Sequence, residues 1–266
     1  MLAIRSCLKE GTMGKIIIIT SAKGGSGKTT LTASLGLSLS NFGKKVCLVD
    51  LCFTSRSLDM LLSVQDQAVF DIADLAEGTC SLKEAIAVQE KINVSLVPAP
   101  AASVTITAEK LYNVFKTLAY KYDYVIADLS DPYSDSVKPL LESADCILLL
   151  SIMGDDAARA TERLVGYLRD TTSSSLYLAI NKFDRRAQKL LVATPQAQAE
   201  YIDIPLAGIV PYDESILYAY WSHSLPDSYR EPVLRAMDVI ADNIINGKSI
   251  NQNKKRRLPW NFLRVN

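Results

Sequence analysis

The chain has 266 residues, 48% hydrophobic and 22% charged, which suffices for one well-buried α/β domain, is short for two, and excludes wholesale disorder. Twenty-nine basic residues cancel twenty-nine acidic ones, so no global charge argues for a nucleic acid, a membrane or an acidic substrate. The distribution is uneven: Lys248, Lys254, Lys255, Arg256, Arg257 and Arg264 follow Asp242 and no acidic residue does, which leaves +6 on the last 24 positions and −6 on the body.

The first twelve residues are too short and too polar for a signal peptide, and Met13 is a possible start. From Lys15 onward, short apolar runs alternate with segments of helical period, the pattern of βαβ units around a parallel sheet. Strands are expected at Lys15–Thr20, Val46–Asp50, Asn93–Val97, Tyr124–Asp128, Cys146–Ser151, Leu176–Ile180 and Leu206–Val210. Most are near-continuous Ile, Val and Leu, as strands covered on both faces should be. Between the first two, Leu31, Leu35, Leu39 and Phe42 fall at helical spacing and Gly43 supplies a stop. The fold class expected is a doubly wound α/β domain, mostly parallel, with helices on both faces. Its divisions are an N-terminal extension (1–12), the domain (13–247) and a basic tail (248–266). No apolar run approaches the roughly 20 residues of a membrane span.

Five cysteines (Cys7, Cys47, Cys52, Cys80, Cys146) without C-x-x-C spacing and a single histidine, His223, give a zinc site or a disulfide framework nothing to build on. The expected setting is reducing and cytoplasmic.

The first strand runs directly into Lys23-Gly24-Gly25-Ser26-Gly27-Lys28-Thr29-Thr30, followed by a helix. Glycines without Cβ let successive N–H groups turn toward phosphate oxygens, and the helix N-terminus adds partial positive charge. Lys28 suits the outer phosphates and the Thr29 hydroxyl suits Mg²⁺. Asp50 and Asp128 each end an apolar strand at the edge where open parallel sheets hold ligands, and both suit Mg²⁺ through water.

K-G-G-x-G-K-T-T resembles the deviant Walker A loop of the MinD/ParA family of P-loop ATPases, of the SIMIBI type, and is most similar to its MinD branch. Supporting stretches are Val49–Asp59, Val69–Asp74, Tyr122–Asp128 and Gly208-Ile209-Val210-Pro211-Tyr212-Asp213-Glu214-Ser215. The resemblance implies ATP and Mg²⁺ as cofactors and an ATP-bound homodimer in which Lys23 crosses to the partner's nucleotide. It also implies catalytic roles for Lys28, Asp50 and Asp128, and places Asn181 and Pro211 near the adenine. The family carries a second aspartate where this chain has Cys52. A thiol is a poor general base, so hydrolysis is expected to be slow or lost unless Asp131 or Asp135 substitutes. Asn181-Lys182-Phe183-Asp184 is also a literal N-K-x-D, a guanine-reading motif, against which the Lys23 loop favours ATP.

The tail places Lys254, Lys255, Arg256 and Arg257 before Leu258, Trp260, Phe262 and Leu263, a composition suited to an anionic membrane interface. The expected function is a MinD-like spatial regulator, peripheral at the inner membrane face, with an unidentified protein activator or cargo. The alternatives are a non-hydrolysing ATP-locked scaffold and a ParA-like DNA partitioning ATPase, whose tail would meet DNA instead of lipid.

Overall fold

A computed structural model describes residues 13–102, 104–188, 193–222 and 231–250. Residues 1–12, His223 and the tail segment carrying Lys254 to Leu263 lie outside the described residues. In chain order the elements are β1 (Lys15–Thr20), α1 (Lys28–Asn41), β2 (Val46–Leu51), α2 (Leu58–Leu61), α3 (Ile72–Glu77), α4 (Leu82–Ala85), β3 (Ala87–Gln89) and β4 (Val94–Val97). There follow α5 (Ala108–Ala119), β5 (Tyr124–Leu129), a 3-10 turn at Asp135–Val137, α6 (Lys138–Ser143), β6 (Cys146–Ser151) and α7 (Asp155–Thr171). The chain continues through β7 (Ser175–Phe183), α8 (Arg185–Gln188), α9 (Pro195–Ile202), β8 (Leu206–Pro211), α10 (Glu214–Trp221) and α11 (Glu231–Ile245).

The strands form one sheet in the order β3-β4-β2-β5-β1-β6-β7-β8, parallel except for the antiparallel β3–β4 pair. Strand periodicity divides the core in two. Ile16 and Ile18 face one layer with Leu111, Phe115 and Leu118 of α5 and Leu164 and Leu168 of α7. Ile17 and Ile19 face the other with Leu31, Leu35 and Leu39 of α1 and Met237 and Ile240 of α11. Each such fully buried side chain contributes roughly 1.5–3 kcal/mol. On the second layer β8 and α11 approach closely: a Cβ on Gly208 would lie 2.2 Å from Ile240 Cγ1.

All seven expected strands form. β7 runs on to Phe183, so Asn181 and Lys182 sit on a strand end instead of in the loop expected there. Phe42 caps α1 and is exposed instead of joining the core. β3 is an additional edge strand of three residues with Val88 exposed, too short and too polar in pattern to stand out. The chain passes from β1 through α1 to β2 in one half of the sheet and later from β5 through α6 to β6 in the other, with β1 between β5 and β6, so the loop after β1 sits at the switch point where ligands bind in open α/β sheets.

Candidate nucleotide and metal site

The loop after β1 turns through two left-handed glycines, Gly25 at φ +72° and Gly27 at φ +94°. Gly27 is the N-cap of α1, no side chain caps that end, and the helix starts at Lys28. Its partial positive charge is thus directed into the loop. A Cβ on Gly24 or Gly25 would meet nothing within 4 Å, so one face of the loop is open, as a phosphate cradle must be. At Gly27 a Cβ would lie 2.4 Å from Asn181 Nδ2, which closes the opposite face.

That second face is braced by β7. Asn181, 8% exposed, donates from Nδ2 to the Ser26 carbonyl at 2.7 Å, and its Oδ1 accepts from Lys182 N at 2.8 Å. Lys182, held at φ +53°, donates from Nζ to the Gly25 carbonyl at 2.8 Å. Asp184 is exposed and accepts from Arg186 N at 2.7 Å, closing a local turn. The N-K-x-D residues therefore support the phosphate loop from behind through their first two members.

At the front, Lys28 Nζ donates to Ser21 Oγ at 3.2 Å, and Ser21 Oγ donates to the Lys23 carbonyl at 2.8 Å. Ser21 thus parks the Lys28 ammonium over the loop. Lys23 forms an ion pair with Asp156 in the first turn of α7, 133 residues away, and this partner holds the Asp156 carboxyl below its ordinary range. Gln198 supports the approach to α7: its Nε2 donates to Ser151 Oγ at 3.1 Å and to the Ile152 carbonyl at 3.0 Å, and its Oε1 accepts from Gly154 N at 3.3 Å.

Asp50 and Asp128 are paired in register on the adjacent parallel strands β2 and β5, and both are 0% exposed. Asp50 accepts from Cys52 N at 2.8 Å and Leu58 N at 3.3 Å. Both carboxylate oxygens of Asp128 are buried without a hydrogen-bond partner, as is Ser26 Oγ in the loop. Cys52 is 4% exposed, and its Sγ lies 3.6 Å from the Asp128 carbonyl oxygen. Ligand atoms of Asp50, Cys52 and Asp128 all lie within 4.8 Å of one another.

Burial pushes the Asp50 carboxyl up to about 7; the Asp128 charge adds to the rise and the N–H groups of Cys52 and Leu58 oppose it. Burial raises Asp128 as well, against the opposing influence of Thr29, Cys52 and Lys28. Burial first, then the two carboxylates, raises the Cys52 thiol, which keeps its proton at neutral pH. Two buried carboxylates, one without a well-formed hydrogen bond, beside a lysine and an open glycine loop fit a divalent cation carrying phosphate oxygens. Thr29 and Thr30, in the first turn of α1, are half-buried at the same edge.

Asp131 and Asp135, the candidate substitutes for a missing carboxylate, are exposed and outside this cluster. Asp131 accepts from Tyr133 N at 3.0 Å and Asp135 pairs with Lys138 at 3.6 Å. Pro211 ends β8 and is registered with Phe183 at the same edge of the sheet, beside α10, whose N-cap Asp213 accepts from Ser215 N at 2.8 Å. Sequence reasoning did not single out Ser21, Asp156 or Gln198. Asp156 and Gln198 act across long separations that leave no local spacing, and Ser21 lies directly before the loop motif.

The model of the CobQ/CobB/MinD/ParA nucleotide-binding domain matches residues 17–226. A septum site-determining protein MinD of Synechocystis sp. is 31% identical over 210 residues, covering 77% of this chain and 79% of that protein. Among solved structures, MinD of Pyrococcus horikoshii, complexed with Mg-ADP, is 26% identical with a TM-score of 0.75, covering 87% of this chain and 96% of that one. A MinC:MinD cell division complex of Aquifex aeolicus gives 25% identity and a TM-score of 0.77, covering 89% and 97%.

Proposed function

This chain belongs to the CobQ/CobB/MinD/ParA family of nucleotide-binding domains, with its MinD branch, and we propose that it is a slow, ATP-dependent dimerising ATPase that regulates position at the inner membrane face. The observation that carries the reading is the convergence of the open glycine loop, Lys28 and the in-register Asp50–Asp128 pair at one sheet edge. The loop amides and Lys28 hold the phosphates. Thr29, Asp50 and Asp128 would hold Mg²⁺, which would neutralise charge on the outer phosphates. Lys23 leaves Asp156 to reach the partner's nucleotide in the dimer. Asn181 and Lys182 keep the loop in shape.

Cys52 stands where the family has a carboxylate, and its retained thiol proton leaves it unable to act as a base. General-base assistance is worth roughly 10² to 10⁴ in rate, so turnover is slow. That same observation favours, as a second reading, a scaffold that binds ATP without hydrolysing it.

No helix among the described residues is long and apolar enough to cross a membrane. Membrane contact is therefore assigned to the tail, with Lys254, Lys255, Arg256 and Arg257 on anionic headgroups and Trp260 and Phe262 in the acyl boundary. One tail binds marginally, whereas two on a dimer gain by effective concentration. The relatives named as septum site-determining proteins, and the MinC-bound one, support a role in placing a division site or a cargo through a protein partner.

Flotation with anionic liposomes in ATP, in ADP and without nucleotide tests the proposal. Binding is expected only with ATP, lost in a chain ending at Asn253 and on substitution of Trp260 and Phe262. Binding to DNA that survives those aromatic substitutions would replace the membrane role with a ParA-like one.

A further inference from the structure

The cysteines of this chain are not paired by local spacing, but ligands can also be brought together by strand order. The sheet does what spacing does not: β2 and β5 run side by side, and two carboxylates and a thiol that are up to 78 positions apart in the chain meet at one point. We propose that Asp50, Cys52 and Asp128 form a binding site for a thiophilic divalent cation of the zinc class, held directly by two carboxylate oxygens and the thiolate. The site is that of the nucleotide-free chain, whose three ligands are its own residues; the Mg²⁺ of a nucleotide complex would draw on the same Asp50 and Asp128 and displace it.

Three observations carry it. The ligand atoms lie within 4.8 Å of one another and all three residues are buried. Both Asp128 carboxylate oxygens, at 0% exposure, accept no well-formed hydrogen bond, and the only donors that lower the Asp128 pKa are the neighbouring Thr29 hydroxyl and Cys52 thiol. Each Asp50 oxygen accepts one backbone N–H and retains a lone pair.

The donor set decides the class of ion. Magnesium takes oxygen ligands and keeps several waters, and gains little from a thiolate. Zinc and cadmium prefer sulfur, and three protein ligands with an open fourth position is a common zinc arrangement. Zn–S of about 2.3 Å and Zn–O of about 2.1 Å place tetrahedral ligands about 3.5 Å apart. The ligand atoms, all within 4.8 Å of one another, need at most a contraction of about 1.3 Å to reach that spacing. Binding exchanges the thiol proton for the metal: the Sγ–H bond breaks, the proton passes to solvent, and the Sγ–metal bond forms with no change of oxidation state.

The test is titration of the metal-free full chain with Cd²⁺ in the absence of nucleotide, following the thiolate-to-cadmium charge-transfer band. Cys7 and Cys80 are replaced by Ser throughout so that the band reports on the buried thiols. One band saturating at one ion per chain is expected. Cys52→Ser should abolish the band. Asp128→Asn should weaken Cd²⁺ at least about 10-fold while the fold, read by circular dichroism, is kept. A saturable band that persists in Cys52→Ser, or no band in the folded parent, overturns the proposal. Binding of a fluorescent ATP analogue with Mg²⁺ is measured on the same sample. ATP binding without a cadmium band sinks the metal site alone, and a Cys52-dependent band without ATP binding supports the site while sinking the nucleotide reading.

Discussion

Lys23, the lysine at the head of the phosphate loop, is ion-paired within its own chain to Asp156 at the start of α7. The proposed dimer needs this ammonium for the partner's nucleotide, so the intrachain pair competes with dimer formation. Asp156→Asn is expected to tighten the ATP-dependent dimer by a few fold, the scale of an exposed ion pair, as measured by sedimentation velocity across protein concentrations. An unchanged or weaker dimer would show that the pair does not compete.

Cys52→Asp restores the missing carboxylate in a pocket already holding Asp50 and Asp128. Turnover of ATP should rise by about 10² or more, and metal-free stability should fall because a third buried acid joins two. Phosphate release and thermal unfolding on the same protein check both. Fast wild-type turnover that the substitution leaves unchanged would remove Cys52 as the cause of slow hydrolysis.

The raised Asp50 carboxyl sets a pH dependence of a definite sign. Its value of about 7 in the fold stands against about 3.9 in the unfolded chain, so the native state binds the extra proton between those values. Its stability contribution is full below about pH 4 and is lost as pH rises toward 7. Urea unfolding of metal-free protein should show wild type losing stability relative to Asp50→Asn over that window, by about 4 kcal/mol at most. Saturating Mg²⁺ and ATP should flatten the difference. A difference already independent of pH in metal-free protein would contradict the assignment.

Asn181 and Lys182 hold the loop and Asp184 closes a local turn, which separates their mutational effects. Asn181→Ala strands the buried Ser26 carbonyl, a loss of about 1–3 kcal/mol, and should weaken ATP about 5- to 150-fold. Asp184→Ala should leave ATP affinity and its preference over GTP unchanged. Competition between ATP and GTP for a fluorescent nucleotide measures this, and a preference that moves with Asp184 would revive the guanine reading.

What the sequence made legible follows from the range of each interaction. The buried strands announce themselves because both faces are covered, which turns Ile16–Ile19 into an unbroken apolar run. β3 has no such run, since Val88 faces out at the sheet edge. The glycine loop, Asp50 and Asp128 are legible because each is fixed by its own strand end. Asn181 was recognisable as a site residue, yet whether its amide meets a base or the back of the loop depends on β7 extending past Ile180. The Lys23–Asp156 pair and the Asp50–Cys52–Asp128 cluster arise from strand order, which no local motif encodes.

In the proposed function, nucleotide switches this chain between one copy and two. Light scattering on purified protein in Mg²⁺ with ATP, with ADP and without nucleotide, alongside Lys23→Ala, measures that directly. The account predicts twice the chain mass with ATP alone, and a single-chain mass for Lys23→Ala that still binds ATP. A mass that is the same in all three nucleotide states would contradict it.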